Sequence, residues 1–84
     1  MFYKIKSVKP LEDLIIVVEF GNNIKKTYDI KPLIKKWPVF QNLYNESLFK
    51  QAKVDIGGHG ISWNENIDLS CNEIWENGKI IENK

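Results

Sequence analysis

The chain contains no arginine, a single cysteine, a single histidine and no long apolar run. Each scarcity excludes something. Arginine is the preferred bidentate reader of guanine and phosphate, so its absence argues against base-specific nucleic-acid recognition. Cys71 cannot close an internal disulfide, which agrees with a reducing compartment. No stretch reaches the roughly 18 apolar residues of a membrane span. The opening residues Met1-Phe2-Tyr3-Lys4-Ile5-Lys6 alternate instead of forming an apolar signal core, so a cytoplasmic protein is expected. With one histidine and one cysteine, Asp55 and Asp68 are candidate extra ligands, and no spacing recruits them to a metal. No metal and no cofactor are expected.

What is present describes one small domain. At 84 residues the chain has room for a thin core. A domain of this size buries only about 60% of its unfolded surface, so self-association is a natural supplement. Every basic residue is lysine, and the charge is uneven. Residues 1–36 carry eight lysines against four acids (+4), and residues 37–84 carry four against seven (−3), which sums to the net +1. Lys25, Lys26, Lys31, Lys35 and Lys36 form the densest positive region. A solvated face is the simpler reading of these lysines, and a phosphate-tracking patch is the alternative.

The pattern along the chain reads as α+β. Residues 3–9 form a strand whose apolar positions shift from odd (Tyr3, Ile5) to even (Val8), which implies a bulge near Ser7. Leu14 to Phe20 is the strongest strand signal. Leu14, Ile16, Val18 and Phe20 share one face, and Ile15 and Val17 make the other partly apolar, as in a central strand. Gly21-Asn22-Asn23 is a tight turn, and Ile24, Lys26, Tyr28 and Ile30 alternate through a third strand. This N-terminal three-stranded antiparallel meander is followed by short helices. One starts near Pro32, an apolar turn covers Val39, Phe40 and Leu43, and Asn45 caps a third piece. Then comes a β-hairpin of 52–56 and 61–63, and a short C-terminal helix packed on the sheet. Ser70 and Glu73 match a capping box, in which Ser70 caps the Glu73 amide and Glu73 reaches back to the Ser70 amide. Gly78 stops the helix, and residues 79–84 are expected to fray.

Candidate contact residues gather at a few places. Gly57-Gly58-His59-Gly60 places three of the five glycines around the only histidine. Read as a hairpin turn, it presents Gly58 and His59 for contact. It lacks the lysine-bearing pattern of a phosphate loop. Cys71 near a helix start could be activated, but a cysteine nucleophile needs an oriented histidine and no motif links it to His59. It reads as a plain buried cysteine. Asp68 and Ser70 precede the last helix, where capping explains them. Trp63 and Trp75 read as core anchors. Trp37 is the exception, because Pro38 keeps its segment irregular. Lys25 and Lys26 complete the contact set.

The order of these landmarks resembles the bacterial family known as domain of unknown function 2442. The resemblance rests on Lys4-Ile5-Lys6-Ser7-Val8-Lys9-Pro10, Glu19-Phe20, Tyr28-Asp29-Ile30-Lys31-Pro32-Leu33 and Pro38-Val39-Phe40 with Leu43. It continues through Leu48-Phe49, Val54-Asp55, Ile61-Ser62-Trp63-Asn64, Ile67-Asp68-Leu69-Ser70 and Glu73-Ile74-Trp75. It implies a small α+β domain with no assigned activity. Some relatives look to be fused to helix-turn-helix domains, and others lie beside small proteins in arrangements similar to toxin–antitoxin pairs. The resemblance therefore implies a protein-interaction module, regulatory or antitoxin-like, and no catalytic residue. A nucleic-acid-associated protein using the lysine-rich N-terminal half is the alternative, and an enzyme built on His59, Asp68 or Cys71 is the least favoured reading.

Overall fold

The computed structural model describes residues 4–81. Three strands open the fold: β1 (Ile5–Pro10), β2 (Ile15–Phe20) and β3 (Lys25–Asp29). Then come α1 (Lys31–Lys36), a 3-10 segment (Pro38–Tyr44) and α2 (Glu46–Phe49). β4 (Lys53–Val54), β5 (Gly60–Asn64) and β6 (Ile67–Ser70) precede α3 (Cys71–Asn77) and β7 (Lys79–Ile80). One antiparallel sheet has the order β1-β2-β3-β7 and the other β4-β5-β6. The expected α+β class and meander are present, with β2 inside its sheet.

Register explains which side chains enter the core. Ile5 pairs with Phe20, Val8 with Val18, and Ile16 with Tyr28, and all of these point inward. The register slips between Ile5 and Ser7, which is the bulge that the odd-to-even shift implies. Tyr3 lies outside the described residues. Ile16, Val18 and Phe20 have no exposed surface, whereas Ile15 and Val17 on the opposite face stay half-exposed.

The β1–β2 turn departs from the sequence reading. Leu14, expected to begin the strand, instead takes left-handed backbone beside Asp13, with φ of 59° and 61°. Two consecutive positive φ values make a type I′ turn, whose twist suits a hairpin. For a leucine that geometry costs about 1–2 kcal/mol. Neighbouring groups hold it. The Ile30 amide donates to the Leu14 carbonyl (2.9 Å), and the Lys31 ammonium donates to the Asp13 carbonyl (2.6 Å). The same ammonium pairs with the carboxylates of Asp13 (3.2 Å) and Asp29 (3.1 Å). Asp29 also accepts from the Lys31 amide at 2.9 Å, so its carboxylate caps the entry to α1. Slight burial opposes the Asp29 charge, but the Lys31 amide and ammonium outweigh it and hold its carboxyl below the usual range.

The two sheets meet at the glycine cluster, and here the exposed-tip reading is corrected. Residues 55–58 form a tight turn, closed by the Gly58 amide donating to the Asp55 carbonyl (2.9 Å) with Gly57 at φ 81°, and the strand expected over 52–56 pairs only at Lys53 and Val54. Gly58 is buried with φ 73°, and a β-carbon there would lie 2.6 Å from the Ile5 carbonyl oxygen of β1. Gly60 is buried too, and its β-carbon would fall 2.4 Å from the Leu69 carbonyl oxygen. Gly58 lets the second sheet pack backbone on backbone against β1 of the first, and Gly60 lets β5 lie tight on β6 within its own sheet. Only His59 and the residues before Gly58 stay exposed at this turn.

The last helix seals the joint core. Ser70 Oγ accepts from the Glu73 amide at 3.0 Å, so half of the capping box forms. Glu73 does not reach back. Its Oε2 accepts from Tyr28 Oη (2.7 Å) and Asn77 Nδ2 (2.9 Å), tying α3 to β3. Trp75 meets Phe20 edge-on with ring centroids 5.0 Å apart. Trp63, 2% exposed, donates its indole N–H to the Phe49 carbonyl and stacks on the Phe49 ring. Two further elements differ from expectation. Ile67–Ser70, read as a lead-in to the helix, is a third strand beside β5. Lys79 and Ile80, expected to fray, pair with Thr27 and Lys26, while residues 82–84 lie outside the described range.

The joint and the turn each give a prediction. Gly58→Ala is expected to cost about 3 kcal/mol in urea unfolding, from left-handed strain plus collision with β1, whereas Gly21→Ala changes stability by under about 0.5 kcal/mol. Asp29→Asn should cost about 1 kcal/mol at neutral pH. Because the folded carboxyl is held low, its contribution is present above the ordinary aspartate range and drains away as pH falls through and below about 4. Unfolding curves of the two proteins should therefore converge in acid.

Candidate interaction surface

The segment between α1 and α2 is set by Pro38. A residue before proline is driven out of helical backbone, and Trp37 takes φ −128° and ψ 109°. Its amide still closes α1 by donating to the Leu33 carbonyl (2.8 Å), and its carbonyl accepts from Phe40 (3.0 Å) to start the 3-10 segment. With about three residues per turn, Phe40 and Leu43 fall on one side and are buried. Trp37, Val39 and Tyr44 are left outside, at 51%, 38% and 67% exposure.

Two depressions flank this ledge. The first, about 340 Å3, lies between Leu33, Trp37 and Val39 on one bank and, on the other, Asn66 in the turn before β6 with Asp68 and Ser70 of β6. β6 is an edge strand of its sheet. The second, about 610 Å3, lies beneath the β1–β2 turn, between Leu11 and Tyr44. The Lys36 ammonium stands 5.8 Å from the Trp37 ring centroid. Of the two carboxylates on the first depression, Glu73 is held by Tyr28 and Asn77. Asp68 is exposed and has no side-chain partner among the described residues. Burial, with the hydrogen bond to Glu73 and its charge, pushes the Tyr28 hydroxyl far above its ordinary range, so Tyr28 serves as a fixed donor.

The other expected contact residues scatter. Gly58 is buried at the sheet joint. His59 is exposed on the turn, with its carbonyl accepting from the Cys71 amide (2.8 Å). The Cys71 thiol is buried. Asp55 accepts from Ser62 Oγ at 2.6 Å, a link within the second sheet. Among the described residues, no three His, Cys, Asp or Glu side chains gather to hold a metal, and no helix is long and apolar enough to cross a membrane. Trp37 alone stands on the ledge.

Lys26 requires a correction. Expected as a surface cation, it is 7% exposed and faces the core in the row Val8–Val18–Lys26–Ile80. Its ammonium donates to the Trp75 carbonyl and sits 4.0 Å from the Trp75 ring centroid. That carbonyl is in the last turn of α3, where the helix dipole is negative, and the indole face is electron-rich. Three attractions thus compensate one buried charge. Lys25, one residue away, points to the opposite side of the sheet and stays half-exposed. Strand alternation could have separated the two lysines, but nothing local to Lys26 reveals the helix end 49 residues away that receives it.

A two-sheet α+β domain carrying an exposed aromatic ledge is the class that fold and surface define. The family model described as protein of unknown function DUF2442 matches residues 5–79, and the chain belongs to that family. No curated protein and no solved structure matches it.

Charge reversal separates the paired lysines. Lys26→Glu is expected to destabilise the fold by about 3–5 kcal/mol, since it buries an anion against a helix C-terminus and a ring face. Lys25→Glu, opposite Glu19 across the strands, should cost under about 1 kcal/mol. Urea unfolding at neutral pH checks both.

Proposed function

We propose that this chain is a small, non-enzymatic, cytoplasmic protein-interaction module whose contact surface is the ledge of residues 37–44. The supporting observation is the placement of exposed apolar surface. Among the described residues, six large apolar side chains are exposed. Trp37, Val39 and Tyr44 lie on the ledge, and Leu11 shares the larger depression with Tyr44, while Ile56 and Ile80 stand elsewhere. Tryptophan and tyrosine are the side chains that most often anchor interfaces, because they bury a large area with few rotatable bonds. Rigid backbone on either side of Pro38 presents them without an ordering cost.

The partner this surface suits is a protein segment with an apolar side chain for the Trp37–Val39 depression and a cation for Asp68. A regulatory or antitoxin-like role beside a neighbouring small protein is the form of this reading that the family resemblance implies. The test is co-expression with the products of adjacent genes, followed by mass measurement of any complex. A defined heteromeric complex is expected. Truncating Trp37 and Tyr44 to alanine should weaken it at least 30-fold, about 2 kcal/mol, with melting temperature almost unchanged. A strict monomer that retains none of these products would overturn the proposal, as would a complex indifferent to both truncations.

A further inference from the structure

We infer that the open face of the four-stranded sheet binds the phosphate backbone of single-stranded nucleic acid without regard to sequence. Register fixes which side chains share that face. Ser7, Glu19 and Lys25 form one row, Lys9, Val17, Thr27 and Lys79 the next, and Ile15 and Asp29 a third. Lys6, at the bulge, reaches Glu19 on the same side at 3.9 Å. None of these residues is buried. The contacts of α3 with this sheet, Trp75 on Phe20 and Glu73 on Tyr28, lie on its other face.

Charge decides the occupant. Among the described residues four lysines face two carboxylates, both already paired, Glu19 with Lys6 and Asp29 with Lys31 at 3.1 Å. Glu73, which shares a depression with Thr27, Asp29 and Lys79 at the sheet's edge, is held by Tyr28 and Asn77. Lys9, Lys25 and Lys79 have no carboxylate within ion-pair distance among the described residues. Lys9 and Lys79 stand three strand spacings apart, about 14 Å, and Lys25 lies about 7 Å from their row. A second copy packed on this face would set these cations against one another. Among the described residues it would also bury only Ile15, Val17 and Ile81, whose amide continues the register opposite Lys25, as apolar side chains, too little for the roughly 1,200 Å2 of a specific protein interface. A polyanion meets the same cations favourably. Ile15, Val17 and Thr27 leave half-apolar ground between the lysines, which the base faces of a single strand can cover and the phosphate ridge of a duplex cannot. With no aromatic ring and no arginine on the face, binding is carried by counterion release and has no base code.

Fluorescence anisotropy of the full chain with a labelled mixed-sequence DNA of about 20 nucleotides tests this. With three cations engaged, the log–log salt slope should be about −2, so raising salt from about 20 to about 200 mM weakens binding about 100-fold. The triple variant Lys9→Gln, Lys25→Gln, Lys79→Gln should bind at least tenfold more weakly at low salt. Lys50→Gln with Lys53→Gln, outside the face, should bind within twofold of the parent. Thermal melting verifies folding, and if the triple variant is unfolded, Lys9→Gln and Lys79→Gln singly should each reduce the slope by about 0.7. The inference is overturned by absent or salt-insensitive binding, by equal loss in the Lys50/Lys53 control, or by preference for a duplex of equal length. Preference for phosphatidylserine vesicles, the mark of a membrane-surface protein, overturns it too.

Discussion

The structure depends on two small sheets sharing one core. A three-stranded sheet with two-residue β4 on its edge cannot bury its own apolar face, and neither can the four-stranded sheet without a layer above it. The sheets approach closely enough because Gly58, beside the second sheet, lies directly on the β1 backbone of the first. Ile16, Val18, Phe20, Ile61, Ile67 and Ile74, drawn from both sheets and α3, then reach zero or near-zero exposure together. A methyl group at the joint would separate them, and in so thin a core few other contacts could compensate.

Polar groups on the same assembly are handled by pairing rather than by exclusion. Lys26 enters the core row and ends at the C-terminus of α3, and Tyr28 ends at Glu73 near that helix's start. α3 is thus fixed to β3 by one cation and one hydroxyl, in addition to the Phe20–Trp75 ring contact. Such directional links determine how the helix sits on the sheet, where apolar packing alone would allow it to slide. The Lys31 clamp does the equivalent work at the other end of β3. It holds the left-handed Asp13–Leu14 turn against the start of α1, and so sets the position of the ledge that follows.

The surfaces left over divide by chemistry. Apolar exposure concentrates on the rigid connection around Pro38, and cations with no ion-pair partner among the described residues lie on the open sheet face on which α3 does not pack. The lysine excess of residues 1–36 is therefore not spread evenly in space. Lys26 is consumed inside, Lys31 in a clamp and Lys6 in a pair; of the remaining lysines, Lys9 and Lys25 stand on the open sheet face, joined by Lys79 from β7.

Local pattern alone determined the meander, the bulge near Ser7, the Asn45 and Ser70 caps, the short helical pieces and the exposure of Trp37. Alternation, proline and capping chemistry act over a few residues, so they can be read from a few residues. Part of the ledge was legible for the same reason, since Pro38 dictates the backbone of Trp37. Tertiary structure decided the rest. The strands at Ile67–Ser70 and Lys79–Ile80 exist because partners at β5 and β3 receive them, and no local propensity marks a strand so short. The burial of Gly58, the inward course of Lys26 and the diversion of Glu73 to Tyr28 each depend on a residue at least 45 positions away, or on the other sheet. Glycine, lysine and glutamate at those positions permit several environments, and only the packing of the two sheets selects one.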